Sequence, residues 1–100
     1  MNPTIAKGLY QSLKEEYPDI PGYENTDHTT VKVPAGWLVE QCGWKGFKNG
    51  DAGVHEKQAL VLVNYGSATG AEIFNLSTQV KESVMEKFGI DLEREVNIIN

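Results

Sequence analysis

The chain has one cysteine, Cys42, in 100 residues. An intrachain disulfide and a cysteine-built zinc site are therefore excluded. Its two histidines, His28 and His55, are far apart and lack metal-ligand spacing, so no metal is expected. No apolar run approaches the roughly 20 residues that span a bilayer, and no membrane partner is expected. Positive charge is also scarce. Nine Lys and Arg stand against 14 Asp and Glu, a net charge of −5. The basic residues are scattered, whereas a phosphate-backbone binder shows a basic face, so nucleic acid is not an expected partner. A small anionic ligand stays compatible, because a few local donors hold one inside an acidic protein. Met1-Asn2-Pro3-Thr4 lacks the charged and apolar regions of a signal peptide. Together these features point to the cytoplasm.

What is present is the patterning of one domain, with enough apolar residues (40%) for a modest core. Ile5, Leu9, Leu13 and Tyr17 recur every four residues and predict a first helix from Thr4 to Tyr17, capped by Asn2 or Thr4. Pro18 and Pro21 end it. Asp19 to Thr30 reads as an ordered loop around Tyr23. Ala35 to Cys42 reads as a short helix with Trp37, Leu38 and Cys42 as its apolar stripe and Gly43 just past its end. Lys45 to Gly53 is a glycine-punctuated connection. Val54-His55 and Gln58 to Asn64 read as two strands turning at Glu56-Lys57. Within the second, Leu60-Val61-Leu62-Val63 predicts burial on both faces. Thr69 followed by Glu72 fits a capping box and opens the longest helix. Ile73, Leu76, Val80, Val84 and Phe88 mark its inner face, and Gly89 closes it. In the last segment Leu92, Val96 and Ile98 alternate with Glu93, Glu95 and Asn97, as in a half-buried strand. The order helix, helix, strand, strand, helix, strand predicts an α+β fold, with helices packed on a small, mostly antiparallel sheet.

Taken singly, the chemical groups are ambiguous. Cys42 on an apolar face reads as a buried, inert thiol, with no histidine near it in sequence. His55 reads as bonding its own turn. Gly43, Gly46, Gly50 and Gly53 match neither a P-loop nor a dinucleotide fingerprint and read as tight turns. Tyr23 is either a phenol offered to a phosphate or a loop anchor packed on the core. Gln58 either reads a ligand or satisfies its hairpin. Glu95 is either a solvated strand charge or a carboxylate held rigidly for catalysis.

Three segments, in order, carry a resemblance. They are Ala35-Gly36-Trp37-Leu38-Val39-Glu40-Gln41-Cys42-Gly43-Trp44-Lys45-Gly46, then Gly53-Val54-His55-Glu56-Lys57-Gln58-Ala59-Leu60-Val61-Leu62-Val63-Asn64, then Phe88-Gly89-Ile90 with Leu92-Glu93-Arg94-Glu95-Val96. The chain resembles the C-terminal, substrate-binding domain of UDP-N-acetylmuramate dehydrogenase, also called UDP-N-acetylenolpyruvoylglucosamine reductase. Asn2-Pro3 is similar to the end of that family's Gly-Ser-Phe-Phe-Lys-Asn-Pro segment. The resemblance implies that the upstream FAD-binding domains, and the serine that donates the proton, are absent from this chain.

For the parent enzyme the resemblance implies hydride transfer from FAD, reduced by NADPH, to the enolpyruvyl double bond of a UDP-sugar in peptidoglycan synthesis. Glu95 matches the family's catalytic glutamate. Tyr23, Gln58 and Asn2 match residues that contact the UDP part of the substrate. The implied partners are the UDP-sugar and the FAD-binding domains of the same polypeptide. No cofactor is expected in this chain, and alone it is expected to be inactive. Arg94 departs from the family, where proline is frequent, and the loop from Glu24 to Thr30 is individual. The alternative reading is a stand-alone UDP-sugar or protein-binding module. The reading frame upstream of Asn2 discriminates between the two.

Overall fold

The computed structural model describes residues 2–55, 61–92 and 97–99. Among the described residues, two small sheets and three helices share one apolar core, an α+β fold. The first sheet combines β1 (Thr4–Ala6), β2 (Tyr23–Glu24) and β3 (Thr30–Lys32) in the antiparallel order β1-β3-β2. Helix α1 (Lys7–Glu16) follows β1 directly, and α2 (Ala35–Gln41) follows β3. The second sheet runs β4 (Lys48–Asn49), β5 (Ala52–Val54), β6 (Val61–Asn64) and β7 (Asn97–Ile99), neighbours in that order. Its first two pairings are antiparallel. The β6–β7 pairing is parallel, as a crossover through the intervening helix α3 (Gly70–Phe88) allows.

Helix α3 follows its sequence signals closely. Thr69 accepts from the Glu72 N–H, and the Glu72 side chain reaches back to the Thr69 N–H, so the capping box is complete. Gly89 ends the helix at φ 69, a conformation that a side chain disfavours. Ile73, Leu76, Val80, Val84 and Phe88 are all buried, in one core with Ala52, Val54 and Leu62 of the second sheet. Val63 is half-buried beside Leu62. Helix α2 buries Ala35, Leu38 and Val39 and packs on α3, where the Trp37 and Phe88 rings lie 5.7 Å apart. Trp37 and Cys42 pack against the core only partly buried.

The start of the chain departs from the helix expected from Thr4. Thr4–Ala6 is a strand, and the helix begins at Lys7. Ile5 fits the inner face of either element, and pairing with Val31 across β3 decides for the strand. Helix α1 accordingly has Ala6 at its N-cap and no side-chain cap, so neither Asn2 nor Thr4 caps it. The expected loop from Asp19 to Thr30 contains β2 and the first residue of β3. The connection from Lys45 to Gly53 likewise contains β4 and most of β5. The turn expected at Glu56-Lys57 and the predicted strand residues Gln58 to Leu60 lie outside the described residues. So does the segment from Glu93 to Val96.

Candidate functional site

The first sheet sets out a short row of polar side chains. In β3, Val31 points into the core and Lys32 outward, and Val33 beyond them is fully buried. Lys32 pairs with Thr4 of β1 on one side and with Tyr23 of β2 on the other. Residues directly opposite one another share a face of a sheet. Thr4, Lys32 and Tyr23 therefore form one cross-strand row on the solvent side, with Tyr23 64% exposed. The expectation of Tyr23 as an anchor packed on the core is thus overturned.

Asn2 stands one step beyond this row. The Val33 N–H donates to the Pro3 carbonyl at 3.0 Å, and the Ala35 N–H donates to Asn2 Oδ1 at 3.0 Å. Asn2 therefore meets the first amide of α2 rather than α1. Its amide plane is held by that bond, and its Nδ2 group is its remaining side-chain donor. A phenol, an ammonium, a hydroxyl and an amide NH2 thus gather at one end of one small sheet. All four donate hydrogen bonds, which suits the oxygens of a phosphate or diphosphate.

The nearest strand carboxylate, Glu24, is engaged elsewhere. Its Oε1 lies 3.0 Å from His28 Nδ1 and 3.5 Å from Lys7 Nζ. The His28 hydrogen bond, then the Lys7 charge, hold its carboxyl below the ordinary glutamate range. Cys42 is only partly buried, not buried as expected, and that partial burial pushes its thiol up despite Lys87 nearby. Gly43, Gly46 and Gly50 close turns in the left-handed region. Gly53 instead lies within β5, where a Cβ would come within 2.8 Å of the Phe47 carbonyl and the Tyr65 ring. Among the described residues no three His, Cys, Asp or Glu side chains are placed to hold a metal, and no helix is long and apolar enough to cross a membrane.

The structure thus brings Asn2 and Tyr23 to the same end of one sheet. Gln58 and Glu95 lie outside the described residues. Sequence reasoning missed Lys32, having stopped the loop at Thr30 and resumed at Ala35. The signal was there: Thr30-Val31-Lys32-Val33 alternates with period two, which marks a strand and turns Lys32 outward.

Comparison with known proteins gives this geometry a context. The family model described as "UDP-N-acetylenolpyruvoylglucosamine reductase, C-terminal domain" matches residues 2–99. That span takes in nearly the whole chain. This chain belongs to that family. Proteins named UDP-N-acetylenolpyruvoylglucosamine reductase match it at 54% identity over 98 residues in Flavobacterium johnsoniae and 54% over 99 residues in Bacteroides fragilis. A third, from Pseudomonas syringae pv. tomato, is 48% identical over 97 residues. These matches cover 98%, 99% and 97% of this chain. They cover 29%, 30% and 28% of the relatives, so the chain spans under a third of a reductase's length.

Proposed function

We propose that this chain is the substrate-binding domain of a flavin-dependent reductase. The parent converts UDP-N-acetylenolpyruvoylglucosamine to UDP-N-acetylmuramate with NADPH, in the cytoplasm, for peptidoglycan. The observation that carries this reading is the row of Thr4, Lys32 and Tyr23 with Asn2 at its end, in a chain matched to the family from residue 2 to 99. Four donors that share one end of a sheet in a chain of net charge −5 support a diphosphate contact there.

Residues 1–100 supply one wall of the site, and the remaining length of the polypeptide supplies the FAD-binding domains. FAD and NADPH are assigned to the other domains, because the family model that matches this chain is a C-terminal domain and the chain spans under a third of the relatives' length. There they supply the hydride. This chain's part is to bind and orient. Lys32 contributes charge to the diphosphate, and the Tyr23 hydroxyl and Asn2 Nδ2 donate to its oxygens. Gln58 adds an amide to the diphosphate or the uridine. Glu95 meets the enolpyruvyl group, where its carboxyl stabilises charge that develops as hydride arrives or orients the proton donor.

Steady-state kinetics of Glu95→Gln in the full-length reductase test this assignment. KM for the UDP-sugar stays within about threefold, whereas kcat falls by roughly two or more orders of magnitude, the pattern of an interaction made in the transition state. Equal losses of affinity and turnover would remove Glu95 from the catalytic role.

A further inference from the structure

Strand β2 carries the Tyr23 phenol but does little to hold its own register. It is two residues long, lies at the edge of its sheet and exposes both side chains. A buried face normally fixes strand register, because a one-residue slip moves every side chain to the other side. β3 has that protection through Val31, and β2 does not. Apart from the Glu24 contacts with Lys7 and His28, the register of β2 therefore rests on the chain on either side of it.

Upstream, Ile20 is buried, its carbonyl accepts from the Tyr10 hydroxyl at 2.9 Å, and Gly22 rests on the Tyr10 ring. Downstream, the turn into β3 is gathered by one carboxylate. Asp27 Oδ1 accepts from the Thr29 N–H at 2.9 Å and from the Thr30 N–H at 3.0 Å. The Thr30 hydroxyl lies 3.0 Å and 2.9 Å from its two oxygens. That hydroxyl oxygen also receives Asn25 Nδ2 at 2.8 Å, while the Asn25 N–H donates to the Thr30 carbonyl at 3.0 Å. Asn25 directly follows β2. The network thus runs from Asp27 through Thr30 to the residue next to the strand. Within it His28 adopts φ 60, unusual for a residue with a side chain, and its N–H donates to the Asn25 carbonyl.

We propose that Asp27 is a positioning residue: by closing the Asn25–Thr30 turn it fixes the register of β2 on β3, and so sets the Tyr23 phenol beside Lys32. The inference rests on the reading of Tyr23 as a diphosphate contact. Asp27 itself touches no substrate.

The test is a double-mutant cycle in the full-length reductase. Asp27→Ala raises KM for the UDP-sugar about tenfold with kcat within about twofold, and Tyr23→Phe does the same. The double variant is no worse than the poorer single, because both remove one interaction. Asp27→Asn, which keeps an acceptor for the two N–H groups, restores most of the affinity. Thermal unfolding of each variant separates lost fold from lost affinity. Should Asp27→Ala unfold the protein, Thr30→Val removes the hydroxyl that links Asp27 to Asn25 and gives the same non-additive KM effect. Unchanged KM in Asp27→Ala alongside a raised KM in Tyr23→Phe overturns the inference and leaves the site standing. Effects that multiply in the double variant also overturn it. Unchanged KM in Tyr23→Phe overturns the site reading and this inference with it.

Discussion

In the proposed reading one side chain, Asn2, serves fold and site together. Its Oδ1 accepts from the Ala35 N–H, and its Nδ2 is the group proposed to meet the ligand. Asn2→Asp separates the two tasks. The carboxylate keeps the acceptor, and a negative charge at a helix start is favourable. The donor, however, becomes a second acceptor facing phosphate. Asn2→Asp is expected to unfold at or above the wild-type midpoint yet bind UDP more weakly. Asn2→Ala loses both tasks and about 1 kcal/mol of stability, the usual loss for one removed hydrogen bond. Denaturant unfolding and UDP titration of the two variants check this. Residue identity was legible in sequence here, but direction was not. Asn2 reads as a cap for the helix next to it in the chain, and the helix it meets starts 33 residues later. Tyr23 on its own reads more readily as a loop anchor turned inward, and its pairing with Lys32 turns it outward.

Among the elements, α3 was the most legible. Its five core positions keep helical spacing, its cap is explicit, and Gly89 stops it. Long periodic segments with both ends marked leave little for tertiary context to override. The short strands were not legible for the opposite reason. β1, β2 and β4 have two or three residues each, too few to show a period, and they exist because a neighbour pairs with them. The energetic consequence can be measured. Phe88 is 2% exposed, and its ring lies 5.0 Å from Tyr17 and 5.7 Å from Trp37. Phe88→Ala is expected to lose about 3–5 kcal/mol, much of the stability of a domain this size. Met85 on the same helix is 45% exposed, and Met85→Ala should stay within about 0.5 kcal/mol. Urea denaturation of the two variants makes the comparison.

For the whole molecule, the two sheets play different parts. The second sheet and α3 supply eight of the 18 core residues among those described, and the first sheet, which adds Ile5 and Val31, carries the donor row. The described residues thus share one apolar core and keep a polar face on the first sheet. The α+β class was legible from the alternation of helical and strand patterns. The convergence of Asn2, Lys32 and Tyr23 was not, because it depends on an antiparallel register that no local pattern announces. The most direct test of the account is UDP titration of this chain, followed by backbone amide NMR. The account predicts saturable shifts centred on Tyr23, Lys32 and Ala35, the last reporting on Asn2, with uridine alone producing far smaller ones. Shifts centred away from the first sheet, or equal shifts from uridine and UDP, would contradict a diphosphate site on that row.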